Sequence, residues 1–317
     1  MRRRKLGSAG PEISVVGFGS WEAGGDAWGP NDSEETVIDA IRAALDAGIS
    51  WIDSAEVYGN GLSERIVGRA IEGRDALIAT KVAPEPEGTG FRPEQVRLAA
   101  EKSMQRLGLD HLDVYQLHWP DSTGVPVEET WGAMAQLVDD ELVGAIGVSN
   151  FTQELIERCE TVRHVDSLQQ NFSMLWLDDR DLIRWCGEHG TGVLAYGSLA
   201  YGLLTGAITR ETKFAEGDWR GSPEDADSSR LFGPGTIDRS LAVTEGVTRI
   251  AERLGATPSQ VALAWVVAQP GVTAAIAGSR NAKHVRENVG AGDLELDDAT
   301  LAELEALLPL GPAPQRG

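Results

Sequence analysis

The chain has 317 residues, 42% of them hydrophobic, and 49 acidic against 28 basic residues give it a formal charge of −21. That length and apolar content can bury a substantial core without disulfides or metal, as one large domain or two small ones. The acidic balance argues against a nucleic-acid binder, whose affinity comes largely from Lys and Arg neutralising phosphates, and against docking on anionic lipid. Cys159 and Cys186 lack CxxC spacing and a His companion, so reduced, buried thiols are expected and neither a disulfide framework nor a metal site. The basic start has no apolar stretch of signal-peptide length, and no segment reaches the roughly 18 apolar residues of a membrane span. A cytoplasmic enzyme or binding protein is expected.

In chain order, the segments 2–7 and 12–15, joined by Ser8-Ala9-Gly10-Pro11, read as a small hairpin whose Arg2-Arg3-Arg4-Lys5 run is a solvated edge. Short β-branched or apolar runs then follow at 14–19, 49–53, 77–81, 112–117, 145–149, 167–169, 192–196 and 273–276. Stretches of helical period separate them, at 34–47, 93–107, 127–139, 152–159, 179–189 and 258–268. Pro93 and the Thr257-Pro258-Ser259-Gln260 run mark helix starts, and Gly48 and Gly108 mark helix exits. Strands alternating with helices imply βαβ units and a parallel sheet. Eight strands with at least seven helices, and no linker in the middle, fit a (β/α)8 TIM barrel spanning 1–317 better than two Rossmann-like halves. The one long irregular region, from Leu199 to about Ile237, follows the seventh strand, where a loop belongs to the active-site face.

Familiar site motifs are absent. Gly17-Phe18-Gly19 lacks the third glycine of GxGxxG, there is no GK[ST], HExxH or GxSxG, and the five histidines never pair at ligand spacing. What the sequence does place together is a set of strand ends. Asp53 closes the second strand and leads to Tyr58, Lys81 closes the third, and His118 follows the fourth. Each alone reads as a cap, a turn aromatic, a snorkelling lysine or a core histidine. Lys81 is harder to dismiss, because the chain has only five lysines and this one ends an apolar strand, where its charge needs a carboxylate. Asp53 on the neighbouring strand can supply it. A lysine about 4 Å from a tyrosine at an effective dielectric of about 20 is worth roughly 4 kcal/mol, which would bring Tyr58 down toward the range of a general acid. His118 can donate a hydrogen bond to a carbonyl oxygen. These parts suit reduction of a carbonyl.

The chain resembles the aldo-keto reductase superfamily over almost its whole length. The likeness rests on Ile52-Asp53-Ser54-Ala55 with Tyr58-Gly59, Ala79-Thr80-Lys81, and the run from Arg106-Leu107-Gly108 through Asp113 to His118-Trp119-Pro120. It continues in Gly147-Val148-Ser149-Asn150-Phe151, Gln169 to Leu175, Ala195-Tyr196 through Gly206, and Gly278-Ser279-Arg280-Asn281 ending in Glu287-Asn288. The resemblance implies an NAD(P)H-dependent oxidoreductase with Asp53, Tyr58, Lys81 and His118 as catalytic tetrad. It implies that Ser149, Asn150 and Gln169 hold the nicotinamide carboxamide and that Tyr196 stacks on the ring. The segment from Leu199 to Leu203 covers the pyrophosphate, and Gly278, Ser279, Arg280, His284, Glu287 and Asn288 bind the adenosine end.

Against that family pattern, Ser54 stands where Thr is frequent, Phe172 ends a stretch that usually ends in Tyr, and Ala277 stands where Pro is common. Gly278 takes a place that is lysine in some branches, and His284 one that is often Arg or Gln. Arg280 is then the phosphate partner, with Lys283 and Arg286 nearby, which favours NADPH over NADH. A polyanionic cofactor needs such a basic patch on so acidic a protein, whose surplus carboxylates belong on the outer helices.

Nine of the 19 aromatic residues are tryptophan. Trp21, Trp28, Trp119, Trp176 and Trp219 follow strands or sit in the long loop, and are expected to wall an apolar pocket for an aromatic or aliphatic aldehyde, Trp21 and Trp119 touching substrate. Trp131, Trp185 and Trp265 are expected to pack helices. The leading function is NADPH-dependent reduction of an aldehyde or ketone by a monomer or weak homo-oligomer. A nucleotide-sensing regulatory subunit resembling potassium-channel β subunits is the alternative, and a non-redox lyase or isomerase on the same barrel is a third reading.

Overall fold

Eight parallel strands close on themselves, and one alternation along them separates the packed core from the site. The computed structural model describes residues 1–25, 27–29, 32–83, 91–122, 124–222 and 224–308. The barrel strands are β3 (Val16–Gly19), β4 (Trp51–Asp53), β5 (Leu77–Val82), β6 (Leu112–Leu117), β7 (Val143–Ser149), β8 (Ser167–Asn171), β9 (Gly192–Tyr196) and β10 (Val272–Ala277), with β10 returning to pair with β3. Ahead of them, β1 (Arg3–Lys5) pairs antiparallel with β2 (Glu12–Ser14). The expected hairpin and TIM barrel are both present.

Helices α1 (Glu34–Asp46), α2 (Leu62–Ile71), α3 (Pro93–Leu107), α4 (Val127–Asp139), α5 (Gln153–Glu160) and α6 (Arg180–Glu188) alternate with the strands. After β9 come α7 (Ala226–Phe232), α8 (Ile237–Leu254) and α9 (Pro258–Ala268), and after β10 come α10 (Ala282–Val289) and α11 (Asp298–Glu305). The start and stop signals act as read. Thr257 and Gln260 form a reciprocal capping box with Pro258 in the first turn, Pro93 opens α3, and Gly108 ends it in the left-handed region. Thr152 caps α5, accepting from Leu155 N, so it lies just outside its helix. Within the expected irregular stretch, Asp225 caps the seven-residue α7, a helix too short to show a period in sequence.

Successive side chains on a strand face opposite ways. One set, including Ile52, Ile78, Tyr115, Ile146 and Leu168, joins the large core between barrel and helices. The other set forms a second, inner core of Trp51, Ala79, Val114, Ala145, Leu194, Ala274 and Ile276. Trp51 fills the barrel because Gly17 leaves room for it: a Cβ on Gly17 would lie 2.2 Å from the indole. Two residues further along several of these strands the inward side chain is polar, giving Asp53, Lys81, Gln116 and Tyr196 at the C-terminal end.

The hairpin adds Leu6 and Ile13 to that inner core. Its basic run is only half a solvated edge. Arg3 and Lys5 are exposed, but Arg4 donates to Val267 O at 2.9 Å and Val272 O at 2.7 Å, tying the turn between α9 and β10. Arg2 donates to Gly292 O and Leu294 O. Carbonyls at element ends need donors, and alternate residues of an edge strand supply them. On the outer helices carboxylates meet arginines, as in Glu34–Arg69, Asp46–Arg74, Asp140–Arg97 and Glu128–Arg158. Among the described residues no helix is long and apolar enough to cross a membrane.

Candidate active site

The C-terminal strand ends open into a cavity of about 820 Å³. Behind the wall residues Asp53 and Tyr58, fully buried Lys81 donates to Asp53 Oδ2 at 2.8 Å, to Ser54 O at 2.8 Å and to Tyr58 Oη at 3.2 Å. All three ammonium protons are therefore used, so the buried charge is satisfied. Because Tyr58 Oη accepts from Lys81, its own proton is free to point elsewhere. Burial lowers the Lys81 ammonium from its ordinary value, while the charges of Asp53 and Glu64 hold it up. Burial, and then the Asp53 charge, push Tyr58 well above a normal phenol. This overturns the expectation that Lys81 would bring Tyr58 down. The ammonium is already neutralised by the nearer Asp53, so the pair presents little net positive charge and desolvation decides the sign.

His118 lies with its ring centroid 5.6 Å from that of Tyr58, nearly perpendicular to it. Burial and the Lys81 charge hold its imidazole well below the usual histidine range, so the ring is neutral near pH 7. Its Nδ1 is buried without a partner. A neutral imidazole has one N–H, and with no acceptor at Nδ1 that proton belongs on Nε2.

Gln169, on β8, donates to Asp53 Oδ1 at 2.7 Å and to Gln116 Oε1 at 3.2 Å. Both Asp53 oxygens are thus held. Asn150, in the left-handed region at φ 60°, donates to His118 O and to Ser149 Oγ, each at 3.1 Å. Its Oδ1 accepts from Tyr196 Oη at 2.8 Å.

Of the residues singled out in the sequence, Asp53, Tyr58, His118, Ser149, Asn150, Gln169, Tyr196, Leu199, Gly278, Ser279, His284, Glu287 and Asn288 line this one cavity, and Lys81 stands behind Tyr58. Leu203 does not reach it; the side chain is fully buried and its carbonyl accepts from Thr244 Oγ1. Arg280 is turned toward the strap before α1, with Nε 3.2 Å from Asp32 Oδ2 and Nη2 donating to Trp28 O at 3.3 Å. Trp21, Trp28 and Trp119 line the cavity. Trp219 stacks on Trp21 at 6.1 Å. Trp176 is buried beneath the Arg230 guanidinium, 3.7 Å from its ring centroid, so it packs rather than lines.

Sequence reasoning missed Glu22 and Arg220 in the wall, and took in Tyr201 only as part of the Leu199 to Leu203 segment. Glu22 accepts the backbone N–H of Arg280, and burial raises its carboxyl against the pull of Arg280, Arg220 and His284. A charge set in the apolar Trp21-Glu22-Ala23 run was the available signal, the same one that marked Lys81. Arg220 binds Asp218 through Nε and Nη2 at 2.9 and 2.6 Å, donates to Tyr201 O, and lies over Trp28 and Phe214. It bolts the segment after β9 to the aromatic cluster above the cavity.

Comparison with known proteins agrees with this architecture. The model described as the Aldo/keto reductase family matches residues 15–309. Aldo-keto reductase YhdN of Bacillus subtilis (strain 168) is 36% identical over 290 residues, covering 88% of this chain and 85% of that protein. The structure of glycerol dehydrogenase AKR11B4 from Gluconobacter oxydans superposes with a TM-score of 0.84 at 29% identity, over 99% of this chain and 98% of that one. An aldo/keto reductase from Klebsiella pneumoniae, solved with NADP and acetate, gives a TM-score of 0.74 at 30% identity over 99% and 98% of the two chains. The chain belongs to the aldo/keto reductase family, oxidoreductases that act on carbonyl and CH–OH groups.

Proposed function

We propose that the protein reduces an aldehyde or ketone to the alcohol with NADPH, Tyr58 giving the proton. The observation that carries this reading is the phenol 3.2 Å from a buried lysine that is itself paired with Asp53 at 2.8 Å, on a cavity of about 820 Å³. The residues present fit such a group. Ser149, Asn150 and Gln169 bring amide and hydroxyl groups, Tyr196 a ring, and Ser279, His284 and Asn288 further polar groups to the lining of the same cavity. The Klebsiella relative was solved with NADP. NADPH, when bound, would supply hydride to the carbonyl carbon.

The chain's own residues do the rest. His118 Nε2 donates to the carbonyl oxygen and orients it. As charge grows on that oxygen it becomes a far stronger base than a phenolate, so Tyr58 can protonate it despite its raised pKa. Lys81 then stabilises the phenolate until water returns the proton, and Asp53 keeps the ammonium charged. Carbon gains hydride, oxygen gains the Tyr58 proton, and the alcohol leaves. Trp21 and Trp119 wall the substrate end, which suits an aliphatic or aromatic carbonyl. Arg280 is the phosphate partner that favours NADPH. The chain acts as one domain and as a monomer or weak homo-oligomer; the large apolar side chains exposed among the described residues are scattered, Leu98 in α3, Val162 in the turn after α5 and Leu254 at the end of α8.

NADPH oxidation at 340 nm across an aldehyde panel, with wild type beside Tyr58→Phe, tests the proposal. Turnover that disappears with the hydroxyl is the expected result. Tight NADPH binding with no turnover on any carbonyl would instead favour the regulatory subunit.

A further inference from the structure

Behind β5, on the side away from the cavity, lies a second buried ionic cluster that the mechanism does not use. Glu64 is fully buried and Glu56 nearly so. Glu64 Oε1 accepts from Thr80 Oγ1 at 2.6 Å, and its Oε2 accepts from Arg106 Nε. Arg106 Nη2 donates to Ser103 Oγ at 3.1 Å and lies 3.7 Å from Glu56 Oε2. Glu56 Oε1 accepts from Ala83 N at 2.7 Å, and Glu56 N donates to Lys81 O at 3.3 Å.

These contacts have a common geometry. The two carboxylates bracket Lys81 on β5, one bound at Thr80 and the other at Ala83. In the chain they also bracket Tyr58, one before it in the turn after β4 and one after it in α2. The turn is shaped to Arg106: Gly61 is in the left-handed region at φ 78°, and a Cβ there would stand 2.4 Å from Arg106 Cδ. A planar guanidinium fork can hold carboxylates on two segments at fixed angles, which a point-charge ammonium cannot.

We propose that Arg106, joined to Glu64 and Glu56, is a positioning residue that locks the Tyr58-bearing turn against β5 and so sets the Tyr58 Oη to Lys81 Nζ distance. The inference rests on the reading of Tyr58 as proton donor. Catalysis depends on placement to within about 1 Å, a loss of which costs on the order of 10²-fold. The cluster also carries two carboxylates against one guanidinium, leaving net negative charge close to Lys81. Asp53 from β4, Tyr58 from the turn, His118 after β6 and Glu64 from α2 are the titratable groups facing or acting on the ammonium. Of these, Glu64 can be neutralised without touching the cavity.

The test is steady-state kinetics with fluorescence titration of NADPH on folded Arg106→Lys, Arg106→Met, Thr80→Val and Glu64→Gln proteins, beside Tyr58→Phe. Both Arg106 variants should lose about tenfold or more in kcat while the NADPH dissociation constant stays within about twofold, because the cofactor wall lies on β7 to β10. Thr80→Val, nearly isosteric, keeps the proposal open to refutation should Arg106 variants not fold, and should lose a smaller part of kcat with the same unchanged dissociation constant. Glu64→Gln should move the alkaline limb of the kcat profile to lower pH, which mere loosening would not do. Arg106→Lys at the wild-type rate, an unmoved limb, or kcat and NADPH affinity falling together would overturn the proposal. A fully active Tyr58→Phe would instead overturn the proton-donor reading.

Discussion

Gln169 donates to Asp53 Oδ1 at 2.7 Å, so the carboxylate that holds Lys81 from one oxygen is itself held from the other by a side chain 116 positions away in sequence. The two amide N–H bonds of Gln169 go to Asp53 and Gln116, so its carbonyl oxygen is the group it can offer to a ligand. Gln169→Leu should therefore cost about 1–3 kcal/mol of stability, the penalty of a buried acceptor left without its donor. Gln169→Glu would set a second carboxylate against Asp53, and the shared proton would raise a folded-state pKa. Such stability is present at low pH and is lost as pH rises through the raised value. The thermal midpoint of Gln169→Glu should climb from pH 8 to pH 5 relative to wild type; a parallel trend in the two proteins would contradict the shared-site geometry.

The buried Lys81–Asp53 pair makes single and double substitutions diverge. Lys81→Met leaves Asp53 uncompensated and should destabilise by about 3–5 kcal/mol in urea. Adding Asp53→Asn removes the stranded charge, so the double variant should recover stability while remaining inactive. A double variant less stable than Lys81→Met alone would count against the pairing.

His118 gives a signed pH dependence. Its folded pKa lies well below 6.5, so below about pH 6.5 the unfolded chain takes up a proton that the folded site refuses, and stability declines as pH falls. Activity should hold through pH 6.5 and drop only in more acid solution. His118→Gln, which keeps a hydrogen-bond donor without the titration, should flatten that acid limb.

Asp32 stands within 3.2 Å of Arg280 and competes with any phosphate for the same guanidinium. Asp32→Asn should tighten NADPH by about two- to fivefold, the scale of a half-exposed ion pair, with a smaller change for NADH and less effect in high salt. Arg280→Ala should raise the KM for NADPH far more than for NADH. Equal changes for both cofactors would sink the assignment.

The barrel was legible because strands and helices differ in period, and the Asp53–Lys81 contact because an isolated lysine at the end of an apolar strand demands a partner. The proton affinity of Tyr58 was not legible: its sign depends on how far Asp53 cancels Lys81 and on depth of burial, both set by three-dimensional packing. The same holds for Arg106, which looks in sequence like a helix-end cation and proves to bridge Glu56 and Glu64. Trp176 failed as a wall residue because position after a strand does not say which way a turn points its side chain.

Leu6 and Ile13 of the hairpin stop the lower end of the barrel like a cork. Above them the inner side chains Trp51, Val114, Leu194 and Ile276 already fill the barrel axis, so the interior is a packed core and not a pore. The cavity therefore has a solid floor, and the strand-end groups that line it, Asp53 and Gln169 among them, are approached from the C-terminal face.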